Sequence, residues 1–162
     1  RIRGRSLLDM KLIELTQGNL AKVDDADFQE LNKYNWHFTK SGTGSFAAGR
    51  RKKGKTIFMH RQLLNVPSGF EVDHKNGNSL DNRRKNLRIA THAQNIRNRK
   101  INKNNTSGYK GVRNNHGKWQ AYLTFNRRFV CLGNFSNKET AAKTYNKAAE
   151  VYFGEFARLN KL

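Results

Sequence analysis

Residues 72–95 read VDHKNGNSLDNRRKNLRIATHAQN, and this stretch decides the fold of the N-terminal half of the chain. The strand-like VDH is followed at once by the turn signal KNGN, so a strand is expected to end near His74. A polar loop then continues until LRIAT resumes a strand pattern. A T-x-x-Q capping box in ATHAQN predicts a helix that starts near His92 and carries Asn95 in its first turns. The predicted order is strand, loop, strand, helix.

Several side chains of this stretch suit phosphodiester hydrolysis. A strand that ends at Asp73 and a helix that carries Asn95 would bring two oxygen ligands to one cation, which favours Mg²⁺ or Mn²⁺ over zinc. His74 is then available as a general base, because the ordinary pKa of histidine, about 6.5, lies near the working pH. The amide of Asn86, just before the second strand, is expected to hold either the imidazole or the loop.

The charge of the chain points to a polyanionic partner. It has 162 residues, 32 Lys+Arg against 12 Asp+Glu, and a formal net charge of +20. This excess is greater than solubility requires, so nucleic acid is the expected partner, with double-stranded DNA implied by the family resemblance below. Only 36% of the residues are hydrophobic, which favours two small cores over one large core. Basic side chains in and after the quoted stretch are expected to contact DNA: Arg83, Arg84, Arg88, Arg97 and Arg99.

Other features of the composition exclude several protein classes. Cys131 is the only cysteine, so the sequence has no internal disulfide and no CxxC zinc site. No apolar run approaches the roughly 20 residues that span a bilayer, and no signal-peptide core is present. The expectation is an intracellular protein without a membrane segment or a small-molecule cofactor, acting as a monomer. Residues 1–9 are expected to be a cloning remnant or the end of a longer native segment.

The N-terminal region is predicted to form short strands with one helix. KLIELT and NLAKVD flank a Gln17-Gly18 turn, and DDADFQEL follows with Asp24 and Asp25 at helix-cap positions. YNWHF and SFAAG flank TKSGTG, a second predicted hairpin turn. RRKKGK, at residues 50–55, is a third turn that is either a solvated loop or a phosphate contact.

The C-terminal region follows NIRNRKINKNNTSG, a basic stretch with little to bury that is typical of a linker. Three strand-like runs come next: YKGVR, KWQAYLTF and RFVCLGNF. Ser136 and Glu139 form an S-x-x-E capping box for a helix that is expected to stop at Gly154. Alternation in KWQAYLTF directs its tryptophan towards that helix and leaves a polar face, which either enters the DNA major groove or stays in solvent.

The segments VDHKNGN, DNRRKNLR and ATHAQN, in this order and spacing, resemble the HNH (ββα-metal) nucleases, in particular the homing endonucleases of phages and introns. The resemblance implies that His74 is the general base, that Asn86 is the asparagine supporting the site, and that Asp73 and Asn95 are metal ligands. The family has histidine as its third letter, and this sequence has Asn95 there. The alternative interpretation is an acidic turn with a surface histidine in a basic loop.

The C-terminal segments YKGVR, GKWQAYL, LGNF, AAKTYNKAA and GEFARLN resemble the plant ethylene-response-factor (Apetala-type) DNA-binding domain. The resemblance implies a three-stranded sheet packed on one helix, with DNA contacts from the sheet. By position, these contacts fall on Lys110, Arg113, Gln120, Tyr122, Thr124, Phe129 and Cys131. Arg127 adds positive charge at the edge of this surface.

The whole sequence predicts an α+β fold: small N-terminal strands and a helix lead into a ββα-metal nuclease core, followed by a three-stranded antiparallel sheet packed on one helix. The expected domains are an HNH nuclease at 10–96 with its core at about 56–100, a basic linker at 97–107, and an ethylene-response-factor-like domain at 108–162. The predicted function is a metal-dependent homing-type endonuclease that nicks or cleaves DNA with Mg²⁺ or Mn²⁺. Two alternatives are a DNA-binding regulator with an inactive nuclease core and a basic ribosome-associated protein that binds RNA.

Overall fold

The computed structural model describes residues 10–40 and 45–162. Its contacts divide the chain into two compact units, Arg1–His92 and Ala93–Leu162. Within the described residues, small antiparallel sheets and four α-helices form an α+β fold, which confirms the predicted class. No helix in this part of the chain is both long enough and apolar enough to cross a membrane.

The first unit is built from three small antiparallel sheets and two helices, counted over its described residues. The strands are β1 (Met10–Glu14), β2 (Leu20–Asp24), β3 (His37–Lys40), β4 (Phe46–Lys52), β5 (Lys55–Phe58), β6 (Glu71–His74) and β7 (Leu87–Ala90). The helices are α1 (Asp25–Leu31) and α2 (Met59–Leu64). β1 pairs with β2, β4 lies between β3 and β5, and β6 pairs with β7.

One hydrophobic cluster holds these elements together. Alternation along the first hairpin turns Ile13 and Val23 inward, where they join Trp36, Met59 and Val72 in the core. Met59 comes from α2, and Val72 comes from β6. Burial of apolar surface therefore anchors the strand on which the predicted catalytic residues lie.

The predicted N-terminal turns agree with the structure where it describes them. β1 and β2 flank the Gln17-Gly18 turn, and β4 and β5 are joined at Lys53 and Gly54, which both have positive φ. The turn predicted in TKSGTG falls partly on residues 41–44, which lie outside the described residues. Helix α1 begins at Asp25, as expected.

The cap of α1 is a correction to the sequence analysis. Asp24 occupies the N-cap position, but its side chain makes no capping hydrogen bond. Its Oδ2 instead accepts a hydrogen bond from the backbone N–H of Arg84 at 2.6 Å. This carboxylate therefore fixes the chain just before β7, a distant contact that local capping rules do not reveal.

The second unit contains most of α3 (His92–Asn98), a three-stranded antiparallel sheet, and a long helix. The strands are β8 (Val112–Asn115), β9 (Lys118–Phe125) and β10 (Arg128–Phe135), with β9 in the middle. The helix is α4 (Lys138–Phe153), which packs against all three strands. Both the start of α3 at His92 and the sheet-and-helix arrangement are as the sequence predicts.

Close packing between the sheet and α4 requires a glycine at position 111. Gly111 has a φ of +70°, and a Cβ atom there would lie 2.0 Å from the ring of Tyr145. Ala121 and Leu123 of β9 are buried on the same side, as the alternation in KWQAYLTF predicts. Small residues on α4, such as Ala141, allow this close approach.

The N-cap of α4 is a second correction. The cap is Asn137 and not Ser136: the Asn137 Oδ1 atom accepts hydrogen bonds from the backbone N–H groups of Glu139 (2.8 Å) and Thr140 (3.0 Å). Asparagine is as good a cap as serine, so the S-x-x-E pattern placed the cap one residue too early. The predicted stop at Gly154 is confirmed, since its N–H donates to the carbonyl of Glu150.

The segment 97–107 packs on the second unit, although its sequence suggested little to bury. The guanidinium of Arg97 lies over the rings of Phe125 and Phe153, at 5.4 and 5.0 Å from their centroids. Ser107 is buried, and its hydroxyl donates to the carbonyl of Val112 at 2.8 Å. Stacking and short polar contacts therefore order this stretch.

Candidate functional site

His74 is the last residue of β6 and is 9% exposed. Its Nε2 atom lies 3.3 Å from Oδ1 of Asn82. The ring of His60, at the start of α2, meets the imidazole edge-on at a centroid distance of 5.2 Å. Burial lowers the pKa of His74, while the hydrogen bond with Asn82 and the nearby carboxylates act in the opposite direction. The imidazole is therefore neutral at neutral pH, as a proton acceptor must be.

His60 is a second buried imidazole next to His74. It stacks on Phe58 at 5.6 Å, and its Nδ1 atom is buried without a hydrogen-bond partner. Burial, followed by the charges of His74 and Arg61, lowers the pKa of His60 to about 3. His60 is thus an uncharged side chain that packs against His74, a structural role that buried histidines often have.

Replacing His60 by phenylalanine is expected to flatten the pH dependence of stability. The folded protein protonates His60 only near pH 3, whereas the unfolded chain does so near pH 6.5. Stability is therefore lost as the pH falls through this window, by at most about 1.4 kcal/mol per pH unit. Urea unfolding between pH 7 and pH 4 measures the slope.

The control for this experiment is His37→Phe, because His37 is an exposed histidine on β3. The control should keep the slope of the wild-type protein. A His60→Phe variant with an unchanged slope would show that His60 is not the buried titrating group.

Asn86 holds the loop that follows His74. Its backbone carbonyl accepts from the N–H of Lys75 at 2.9 Å, and its Oδ1 accepts from the N–H of Asn76 at 3.0 Å. Its Nδ2 donates to the carbonyl of Asp81 at 2.7 Å. The loop is one of the two targets that the sequence suggested for this amide.

The carboxylate of Asp81 is the second fixed point of the loop. Arg83 donates to both of its oxygens, at 2.7 and 2.6 Å, and Asn76 Nδ2 donates at 2.8 Å. The hydrogen bond from Arg83 is the main cause of the lowered pKa of Asp81. The residues on either side of Asp81 are hydrogen-bonded to the backbone of Lys22 in β2: the N–H of Lys22 donates to the carbonyl of Leu80, and the N–H of Asn82 donates to the carbonyl of Lys22. A loop held in this way keeps the surroundings of His74 rigid.

Asp73 precedes His74 and is buried. Its Oδ2 accepts from Nε and Nη2 of Arg88, at 2.7 and 2.6 Å, because the two residues are direct partners across β6 and β7. Two charge-assisted hydrogen bonds of this kind make a strong contact. Asn95 lies on α3 in the second unit.

A metal site of this family does not need a cluster of several protein ligands. Among the described residues, no three or more His, Cys, Asp or Glu side chains are grouped to hold a metal ion. Mg²⁺ does not require such a group, because it keeps several waters and binds through one or two protein oxygens together with substrate phosphates. The buried carboxylate of Asp73 is a donor of this kind.

Replacing Arg88 by methionine is expected to destabilise the protein by about 3–5 kcal/mol, because the buried Asp73 carboxylate would lose its charged partner. Thermal unfolding measures the change. Lys85→Met is the matched control, since Lys85 is exposed on the same segment and should alter the melting temperature little. Equal effects of the two substitutions would contradict a buried ion pair.

Comparisons with known proteins bear directly on this site. The family model for HNH endonucleases matches residues 65–97, which include β6 and β7. A protein of Acanthamoeba polyphaga mimivirus, named as an uncharacterized HNH endonuclease, is 33% identical over 159 residues, 97% of this chain and 83% of the viral protein. The chain belongs to the HNH endonuclease family. Protein 3.8 of Escherichia phage T7 is 34% identical over 95 residues, 57% of this chain and 78% of the phage protein.

Membership of the HNH endonuclease family implies a nuclease with DNA as its substrate. HNH nucleases are also generally metal-dependent. The matched region contains His74, the loop that Asn86 and Asp81 hold in place, and the predicted metal ligands Asp73 and Asn95.

Three arginines that were predicted to contact DNA form ion pairs within this HNH protein. Arg83 pairs with Asp81, and Arg88 pairs with Asp73. Arg84 forms a bidentate ion pair with Asp27, in which both hydrogen bonds are 2.8 Å long. These carboxylates neutralise much of the positive charge around the loop.

The polar face of the C-terminal sheet has on its edge strand β8 an arginine that neighbouring side chains hold in place. Arg113 donates from Nε and Nη2 to Oε1 of Gln120, at 3.0 and 2.8 Å. Its guanidinium also lies 5.0 Å from the ring centroids of Tyr122 and Phe129, which stack on each other. Gln120, expected on an uncovered face, is only 7% exposed because these neighbours enclose it.

The other predicted DNA-contact residues of this unit fall into two groups. Lys110 is directed inward: its Nζ donates to the carbonyls of Arg97 and Arg99, the latter at 2.8 Å. Burial, with the charges of Arg158 and Arg99, lowers the pKa of Lys110 to about 8. The exposed group comprises Arg99, Thr124, Arg127, Phe129 and Cys131.

Sequence reasoning missed Asn82, which is fully buried beside His74. It stands in a polar loop, where side chains are ordinarily exposed, so no periodic pattern marks it. Its position directly after Asp81 would have marked it only if the role of that carboxylate in holding the loop had been known.

Proposed function

We propose that this HNH protein is a metal-dependent, site-specific DNA endonuclease of the homing type. His74 is the general base, and Asp73 and Asn95 bind a Mg²⁺ or Mn²⁺ ion. The observation that supports this most strongly is the buried imidazole of His74 at the end of β6, preceded by the ion-paired carboxylate of Asp73 and followed by a loop that hydrogen bonds hold in place. A protein that only bound DNA would not need this combination.

The proposed reaction divides its tasks among these residues. His74 takes a proton from a water molecule, whose oxygen attacks the phosphorus, and the bond from phosphorus to the leaving deoxyribose oxygen breaks. The metal ion, when bound, compensates the charge that develops on the phosphoryl and leaving oxygens. Asn86 keeps the loop in place while the imidazole gains its charge.

The second unit is proposed to be the ethylene-response-factor-like domain that reads the DNA sequence. Arg113, held by Gln120 and two aromatic rings, offers a planar donor at low entropic cost, which suits recognition of a base edge. Exposed basic residues such as Arg127 are proposed to contact phosphates.

The protein is proposed to act as a monomer that nicks one strand. One catalytic histidine and one ion per chain serve one phosphodiester at a time. Cleavage of both strands would need a second binding event or a second copy.

The test is to map product ends on a randomised duplex library with both strands labelled, in Mg²⁺, Mn²⁺ or EDTA. Discrete ends on one strand, formed only with a metal, are expected. Retention of specific sequences without any cleavage would favour a DNA-binding regulator with an inactive core. Random ends would contradict site specificity.

A further inference from the structure

Asn82 is fixed at two points next to the proposed base. Its backbone N–H donates to the carbonyl of Lys22 in β2 at 2.7 Å, and its Oδ1 lies 3.3 Å from Nε2 of His74. The residue is 0% exposed. Both the backbone and the side chain of Asn82 are therefore shielded from water.

The same amide carries an unexplained donor. Nδ2 of Asn82 is buried and has no hydrogen-bond partner. A buried donor without a partner is rare and destabilising, and an apolar residue of the same size would avoid it. Asparagine at this position therefore serves a purpose other than stability, and its Oδ1 is the atom that contacts the imidazole.

The chemistry of the contact decides the state of the ring. A neutral imidazole has one N–H and one lone pair, and a carbonyl oxygen can only accept a hydrogen bond. With Oδ1 facing Nε2, the hydrogen is on Nε2 and the lone pair is on Nδ1. The neutral ring of His60 packs edge-on at 5.2 Å and leaves the imidazole less room to rotate.

We propose that Asn82 is a positioning residue that fixes His74 as the Nε2–H tautomer, so that Nδ1 accepts the proton of the attacking water. The tautomer follows from the contact of Oδ1 with Nε2 in this orientation of the amide, whereas the role of Nδ1 rests on the proposed function. Turning the amide by 180° would put NH₂ against Nε2 and give the opposite tautomer, so the two arrangements can be distinguished by experiment.

The experiment is ¹⁵N NMR of the histidine side chains in the full-length protein at about pH 8, with His74 assigned by its loss in His74→Ala. The expected spectrum of wild-type protein shows a protonated Nε2 and an unprotonated Nδ1. A protonated Nδ1 would overturn the proposal without using any variant. The same sample is assayed for DNA cleavage in Mg²⁺ and Mn²⁺.

Two substitutions test whether Asn82 is responsible. Asn82→Leu removes the acceptor and should give mixed tautomers and a single-turnover rate about 10–100-fold lower at saturating DNA, the usual loss for an orienting partner. Asn82→Asp keeps an acceptor oxygen and should retain the Nε2–H tautomer. Asn78→Ala, a loop control whose Oδ1 accepts from the N–H of Leu80, should leave the tautomer unchanged.

The outcomes separate this proposal from the proposed function. An Asn82→Leu variant with the pure Nε2–H tautomer overturns the role of Asn82, even if it is less stable. If Asn82→Leu does not fold, the wild-type and Asn82→Asp spectra decide. A wild-type protein with the Nε2–H tautomer but no cleavage in either metal contradicts the nuclease activity and leaves the tautomer assignment standing.

Discussion

Replacing His74 by alanine is expected to lower the rate of DNA cleavage by about 10²–10⁴-fold, the usual contribution of a general base. DNA affinity should stay nearly unchanged, because the imidazole is buried and does not form a phosphate contact in this account. Single-turnover cleavage at saturating DNA measures the rate, and a gel-shift titration in EDTA measures the affinity.

His92→Ala is the matched control for this experiment. The side chain of His92 is 70% exposed and contacts Glu71 at 2.7 Å, at the start of α3. Its removal should alter the rate by much less than the removal of His74. Cleavage by His74→Ala at a near-native rate would show that another group is the base. Asp73→Ala should act through the metal, with a loss of rate that varies with the ion supplied, and should also lower the melting temperature because Arg88 loses its partner.

Affinity for DNA is expected to fall by about 10³–10⁵-fold between 50 and 200 mM salt if 6–10 phosphates are contacted. The net charge of +20 supports a footprint of this size. A plot of binding constant against salt concentration on logarithmic axes gives the number of contacts as its slope. A flat plot would contradict extensive contact with the DNA backbone.

Substitutions of two arginines, one exposed and one ion-paired, test which positive charges contact DNA phosphates. Arg127 is exposed in the turn between β9 and β10, so Arg127→Gln should reduce the salt slope by about 1. Arg83 is paired with Asp81, so Arg83→Gln should leave the slope unchanged and lower the melting temperature. The reverse result would mean that the pair with Asp81 opens when DNA binds.

Local sequence signals were sufficient for the order of elements around the site. The turn signal KNGN ends β6 at His74, and the capping box in ATHAQN precedes a helix that begins at His92. Each of these patterns depends on only a few neighbouring residues, so it can be recognised in a single sequence. The same holds for the alternation in β9, whose inward residues form the core of the second unit.

Contacts between distant segments could not be predicted in this way. Arg88 lies opposite Asp73 only because β6 and β7 pair in one particular register, and Arg84 meets Asp27 across 57 positions of the chain. From sequence alone these arginines were indistinguishable from phosphate contacts. Their ion pairs depend on the fold of the whole first unit.

Lys110 illustrates the same difficulty in the second unit. Resemblance to a DNA-binding domain marked it as a contact residue, but its ammonium group is directed at the carbonyls of Arg97 and Arg99. A lysine beside a basic segment is ordinarily expected to point outward, because burying its charge is costly. The carbonyl oxygens of Arg97 and Arg99 offset that cost here, and no sequence pattern predicts this contact.

The most direct test of the central claim, that this HNH protein hydrolyses DNA, is the conversion of supercoiled plasmid by the full-length protein in Mg²⁺, Mn²⁺ or EDTA. Gel electrophoresis separates supercoiled, nicked and linear DNA. The account predicts nicked product with at least one of the two metals, none in EDTA, and a much slower reaction with His74→Ala. Supercoiled DNA that stays intact with wild-type protein in both metals would contradict it.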